Sequence, residues 1–275
     1  MSQTLASRNL LDDTFRTLQA QGKSALMPFI TLGDPTCEIT LRLLLQMEQA
    51  GADIIELGIP YSDPMADGPV IERASARALR NHVSIADGLR IAAQARKQGA
   101  QIPYVLFTYY NPVLQFGLDS FLHQARDAGI SGIIIPDLPY EESHEVREAA
   151  DRMGIHLIPL VAPTSESRVS SIVAEGRGFI YCVSSLGVTG VRDTFDSQVD
   201  AFIELVRRST ELPIAIGFGI STAEHVKHFA KRCDGVIVGS AIVRRIEEAL
   251  PLLEHPDSSE EGILQICDFV RQLKH

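Results

Sequence analysis

Apolar residues in this chain gather into short runs, separated by longer stretches in which apolar and polar positions recur with helical period. The runs begin at Ser24 (SALMPFIT), Asp53 (DIIELG), Tyr104 (YVLFTY), Gly132 (GIIIP), His156 (HLIPLV), Phe179 (FIYCVS), Pro213 (PIAIGFG) and Gly235 (GVIVGS). Several are apolar almost throughout instead of alternating, the pattern of parallel strands buried on both faces. The stretches between them carry helix-start chemistry: Thr36 before CEITLRLLLQMEQA, Ser84 before IADGLRIAAQARKQ, and Glu166 at the head of SRVSSIVAEG. Another amphipathic helix is expected from Asn9 to Gln21, and EHPDSSEEG from Glu254 reads as a solvated loop before a last helix.

Strand and helix segments in this alternation predict the α/β class, as one (β/α)8 or TIM barrel over residues 1–275 with an extra N-terminal helix. A doubly wound open sheet is the alternative. It fits less well because an early Gly-x-Gly-x-x-Gly is absent, and because the glycine-rich loops follow the last three strands, where barrels commonly hold phosphate.

Composition narrows the range of partners. The 25 Lys and Arg against 35 Asp and Glu leave a net charge of -10, which argues against a nucleic-acid or anionic-membrane surface. Cys37, Cys182, Cys233 and Cys267 are widely spaced with no Cys-x-x-Cys, so they read as reduced thiols and not as a zinc site or disulfide framework. The first residues lack the apolar core of a targeting peptide, and nowhere do about 18 uninterrupted apolar residues occur. A cytoplasmic protein is the expectation.

In a barrel the reactive groups come from the C-terminal ends of strands and the loops that follow. The outlier there is IIELGIPYSDPMADGP, in which Glu56 interrupts an apolar strand and a long loop carries Asp63 and Asp67. A carboxyl held among apolar neighbours has a raised pKa and suits proton transfer near neutral pH. The same position would also serve a carboxylate satisfied by a structural arginine, and Ser-Asp-Pro at Asp63 is good turn chemistry. A second signal is three glycine-containing turns, SLGVTG ending at Gly190, GFGIS from Gly217 and VGSAIV from Val238. Their N–H groups, with the positive end of a helix starting near Ser240, can hold a phosphate without any lysine.

The residues that are missing narrow the reaction further. Lys23, Lys97, Lys227, Lys231 and Lys274 all fall before the first strand, on helices or in the tail, so none is placed for a Schiff base at a strand end. His156 opens a strand, and His225 and His228 lie on a helix, so a metal cluster is unsupported. A phosphorylated substrate would have to be transformed by carboxylates, through proton transfer and electrostatics.

Six ordered segments now carry a resemblance: MPFITLGDP from Met27, ELGIPYSDPMADGP from Glu56, PDLPYEES from Pro136, GVTG from Gly187, GFGIS and VGSAIV. On these segments the chain resembles the tryptophan synthase alpha chains over essentially its whole length. The resemblance implies a (β/α)8 barrel that cleaves indole-3-glycerol phosphate to indole and glyceraldehyde 3-phosphate. It implies no cofactor in this chain, and an alpha2beta2 partnership with a beta chain that holds pyridoxal phosphate and receives the indole. It further implies Glu56 as the catalytic acid/base and Asp67 as acceptor of the indole N–H. Phe29, Tyr109, Tyr181 and Phe218 would line the substrate, Thr189 would close the site over it, and Gly190, Gly219, Gly239 and Ser240 would hold the phosphate. A core tyrosine or phenylalanine would read the same way at the aromatic positions. Two features depart from the family: Phe107 stands where some members have leucine, and the hydrophilic stretch from Glu254 to Gly262 is longer than expected.

Overall fold

Strands that are apolar on both faces need a cover on each side, and a closed barrel wrapped in helices supplies both. The protein is described by a computed structural model, covering residues 9–183, 197–217 and 219–274. Among these residues are nine strands: β1 (Ala25–Thr31), β2 (Ile55–Gly58), β3 (Tyr104–Phe107), β4 (Ile130–Ile134), β5 (His156–Leu157), β6 (Leu160–Val161), β7 (Ile180–Val183), β8 (Ile214–Gly217) and β9 (Gly235–Val238). The order across the sheet is β5-β4-β3-β2-β1-β9-β8-β7-β6, and neighbouring strands pair in parallel.

The two outermost strands, β5 and β6, are consecutive in the chain. The single run expected from His156 is interrupted at Ile158 and Pro159, because proline has no N–H to give to a ladder. Its neighbours still bridge the gap: the Ile158 N–H donates to the Ile133 carbonyl at 2.9 Å, and the Tyr181 N–H donates to the Pro159 carbonyl at 3.0 Å. The ring is therefore closed, with eight strand positions, and the open doubly wound sheet is ruled out.

Alternation along each strand separates two cores. Met27, Phe29, Val105, Phe107, Tyr181, Ala215 and Ile237 pack together inside the barrel, whereas Leu26, Ile30, Ile55, Leu57, Leu106 and Ile216 pack outward against the helices. Glu56, between Ile55 and Leu57, is thereby turned inward. The N-terminal helix, Leu10–Ala20, is capped by the Asn9 side chain, which accepts from the Leu11 N–H. Its Leu11, Phe15 and Leu18 join the inner core, with Phe15 and Phe179 rings 5.6 Å apart. Because Phe15 also sits beside Gly235, the first residue of β9, this helix plugs the N-terminal end of the barrel and leaves the C-terminal end for chemistry.

Helix Cys37–Gln49 starts as expected, with the Thr36 hydroxyl accepting from the Ile39 N–H, and Ile85–Lys97 starts with a capping box between Ser84 and Asp87. Two expectations are corrected. Glu166 lies within a 3-10 turn, Pro163–Arg168, and the α-helix follows only at Val169–Ala174. The hydrophilic stretch from Glu254 is a loop only as far as Ser258, because helix Ser259–Lys274 begins there with Glu260 and Glu261 in its first turn, where acids favour the helix dipole. All four cysteines are free thiols, three of them buried. No helix among the described residues is long and apolar enough to cross a membrane.

Candidate active site

The inward turn of β2 leaves the Glu56 carboxyl 1% exposed, and its Oε2 has no hydrogen-bond partner among the described residues. A buried polar atom without a partner costs stability, so its retention points to a task that needs it unpaired. Burial pushes the Glu56 pKa up from 4.5 to about 8, and the nearby Asp67 charge pushes in the same direction. At neutral pH this carboxyl therefore carries a proton.

Asp67 lies on the loop between β2 and helix Pro69–Arg80, and it is less deeply buried. Burial and the charge of Glu72 raise its pKa to about 6, while a hydrogen bond with Tyr109 opposes them. One carboxyl that stays protonated at pH 7 and another that is mostly ionised there give an acid and an anion in one site.

Both carboxyls line a cavity of about 280 Å³ at the C-terminal end of the barrel. Its deep wall is aromatic: Phe29 from β1, Phe107 from β3 and Tyr181 from β7, with the Phe29 and Phe107 rings edge to face at 6.0 Å. A flat apolar ring fits between such walls and an acid. Tyr181 is fully buried, and burial followed by the Glu56 charge holds its hydroxyl well above the usual tyrosine range, so it stays protonated. Space for this tyrosine comes from β8: a Cβ on Gly217 would lie 2.3 Å from the Tyr181 hydroxyl. Gly217→Ala is accordingly expected to push Tyr181 out of position, cost about 1–3 kcal/mol as overpacking does, and reduce turnover. Thermal melting and an activity assay check both effects, and an unchanged melting temperature with full turnover would overturn the packing argument.

The far end of the cavity is built from backbone. Gly219 has φ +77 and, among the described residues, no atom within 4 Å of its would-be side chain, so its turn leaves room there. Gly239 caps helix Ser240–Glu248, and Ser240 is that helix's first residue; both line the cavity. The first N–H groups of a helix lack partners within it, and the dipole adds a positive partial charge, so this end suits an anion.

The structure thus brings together Phe29, Glu56, Asp67, Tyr181, Gly219, Gly239 and Ser240. Tyr109 stands outside the lining. Its ring stacks on Tyr61 at 4.8 Å and its hydroxyl accepts from the Ala66 N–H at 3.0 Å, which holds the loop that carries Asp67. Asp63 is exposed and accepts from the Ser62 hydroxyl at 2.6 Å, the turn role. Thr189, Gly190 and Phe218 lie outside the described residues. Sequence reasoning missed the clearance role of Gly217 and the two arginines of the rim, Arg244 and Arg245. Their position in the first turns of the helix after the VGSAIV motif was the available signal.

Comparison with known proteins agrees with this geometry. The family model described as tryptophan synthase alpha chain matches residues 15–274. The tryptophan synthase alpha chain of Geobacillus kaustophilus is 49% identical over 247 residues, covering 90% of this chain and 92% of the relative. That of Bacillus pumilus is 50% identical over 251 residues, covering 91% and 94%. Among solved structures, tryptophan synthase subunit alpha from Legionella pneumophila superposes with a TM-score of 0.85 at 34% identity over 98% of both chains. Mycobacterium tuberculosis tryptophan synthase gives 0.84 at 33% identity over 96% of both. With sequence matched along nearly its whole length, and a barrel whose inward acid opens into an aromatic cavity, the chain belongs to the tryptophan synthase alpha chain family.

Proposed function

We propose that this chain is a lyase that cleaves indole-3-glycerol phosphate into indole and glyceraldehyde 3-phosphate, the alpha reaction of tryptophan biosynthesis. The observation that supports it best is the unpartnered, almost fully buried Glu56 oxygen, in a cavity with aromatic walls at one end and a helix N-terminus at the other. An indole ring suits the first and a phosphate the second.

The chemistry follows from the two carboxyl groups. Protonated Glu56 gives its proton to indole C3, which forms an indolenine cation, and ionised Asp67 accepts the indole N–H and offsets the positive charge on it. The Glu56 carboxylate then takes the proton of the hydroxyl on the adjoining glycerol carbon. As that oxygen becomes the aldehyde, the carbon-carbon bond breaks and its electron pair returns to the ring, releasing indole. Glu56 ends protonated, as it began. Burial strengthens both charge interactions because little water screens them.

No cofactor is needed for this sequence of steps. The partner we propose is a beta chain that holds pyridoxal phosphate and receives the indole in an alpha2beta2 complex. Two exposed apolar side chains on the connections that follow β2 and β3 support a docking face at this end of the barrel: Met65, 86% exposed, in the loop after β2, and Leu114, 54% exposed, on the helix after β3. The test is indole release from indole-3-glycerol phosphate by the purified chain, with and without a beta chain. The chain contains no tryptophan, so indole fluorescence stands on a low background. Indole release, accelerated by the beta chain, is expected. Absence of indole under both conditions would overturn the reaction, and equal turnover with and without the partner would overturn the coupling.

A further inference from the structure

The phosphate end of the cavity is supplied with backbone donors, yet among the described residues its lining has no surplus of positive charge. Asp67 and Glu248 line it, and the chain carries a net charge of -10, so an approaching phosphate monoester meets repulsion. Two cations share the lining among the described residues, Arg244 and Arg245. Arg245 is already engaged: it donates to Glu248 at 2.8 Å, and its guanidinium lies 4.9 Å from the centre of the Phe269 ring. Arg244 is exposed and has no hydrogen-bond or ion-pair partner among the described residues.

Position on the helix decides where Arg244 can act. It follows Ser240 by four residues, so the two share one face of helix Ser240–Glu248. Side chains on a helix lean toward its N-terminus, which carries the Arg244 guanidinium toward the free N–H groups at Gly239 and Ser240. A second feature of the same cavity points independently to a bound molecule: the Glu56 Oε2, unpartnered and 99% removed from solvent, faces the space that this helix closes at its other end.

We propose that Arg244 is the cation of this site that recognises the substrate's phosphoryl group, drawing the dianion to the helix N-terminus and setting its affinity. This inference rests on the reaction proposed above, to which it adds a binding residue. Guanidinium and phosphate oxygens make charge-assisted, two-point hydrogen bonds, which the backbone donors alone do not supply. Because phosphate is held equally before and during bond cleavage, the contribution falls on substrate binding and not on the chemical step.

The test compares Arg244→Gln, Arg244→Lys and the wild-type chain, with Arg16→Gln as a control that removes one positive charge from the opposite end of the barrel. For indole-3-glycerol phosphate, Arg244→Gln is expected to raise KM about tenfold with kcat within twofold, and to flatten the rise of KM with ionic strength. Arg244→Lys should recover most of the affinity, and Arg16→Gln should match the wild type. The unphosphorylated indole-3-glycerol should be cleaved equally by wild type and Arg244→Gln. A second measurement does not depend on turnover: inorganic phosphate, titrated calorimetrically, should bind Arg244→Gln about tenfold more weakly than wild type. Unchanged KM, unchanged salt dependence or unchanged phosphate binding in Arg244→Gln overturns the proposal. If wild type binds phosphate through Arg244 but releases no indole, the proposed reaction fails while the phosphate assignment stands.

Discussion

Glu56→Gln is expected to lower turnover by about 10³-fold or more while making the protein more stable at neutral and alkaline pH. The activity loss follows from shape and charge: glutamine fills the same volume but has no proton to give to a ring carbon and no basic oxygen to take one back, and a positioned acid/base contributes about 10²- to 10⁴-fold. The stability gain has the opposite sign because the native chain pays a penalty for this group. In the folded protein Glu56 holds its proton up to about pH 8, whereas the ordinary value is 4.5. Below pH 4.5 both states are protonated and the group contributes nothing. Between 4.5 and 8 the unfolded chain binds fewer protons than the native one, so stability falls as pH rises, by about 1.4 kcal/mol per pH unit for one group. The full penalty is reached above pH 8. Melting curves of wild type and Glu56→Gln should therefore coincide near pH 4.5 and separate toward pH 8, with the variant higher. Curves that stay together across this range would mean that the carboxyl is not held neutral by burial. The same groups set the activity profile. Turnover should fall above about pH 8 as Glu56 loses its proton, and below about pH 6 as Asp67 gains one.

Arg77→Met is expected to be among the most destabilising single changes outside the cavity. The Asp34 side chain is fully buried in the loop after β1, and Arg77 meets it with two hydrogen bonds, 2.7 and 2.9 Å, while its third nitrogen donates to Glu247 at 2.8 Å. Arg73 grips the other side of Glu247 with two bonds of 2.8 Å, and these arginines hold the Glu247 carboxyl down at about 2. Removing one partner of a buried pair leaves the other charged and unsolvated, which costs about 3–5 kcal/mol. For a chain of this size that corresponds to roughly 6–15 °C in melting temperature. Burial already raises the Asp34 pKa, with Arg77 opposing it, so without Arg77 it rises further and Asp34 takes up a proton. The deficit should then shrink as pH falls. Adding Asp34→Asn to Arg77→Met should recover part of the loss. A melting temperature within 2 °C of wild type at pH 7 would show that the network is not a significant source of stability. The network matters for the site because it joins the helix that follows the Asp67 loop, Pro69–Arg80, to the helix whose first turn closes the phosphate end, Ser240–Glu248.

Much of this protein is legible along the chain because the determining signals are local. Helix caps at Thr36 and Ser84 depend on residues within one turn, and strands covered on both faces announce themselves as unbroken apolar runs. Glu56 is visible for the same reason: an ionisable residue inside such a run breaks the pattern and must have a cause. The Gly-rich turns likewise mark where helices begin after strands, and hence where an anion can be held. Errors of the reading fall where a local signal has more than one outcome. Pro159 ends a ladder bond without ending the barrel, and the acids from Glu260 start a helix where their polarity suggests a loop.

Sequence by itself determined the barrel, its N-terminal helix, the inward acid on the second strand and the family to which the motifs point, because each depends on periodicity and residue type over a few neighbours. Only the tertiary structure decided how far Glu56 is desolvated, that Gly217 exists to clear Tyr181, and that Tyr109 holds the Asp67 loop outside the cavity lining. It also decided that Arg77 bridges two distant acids and that Arg244, unlike Arg245, has no partner at the rim among the described residues. Those properties are set by atoms from strands and helices far apart in the chain, and burial, clearance and charge pairing are defined only once closure of the ring brings them within a few ångströms of one another.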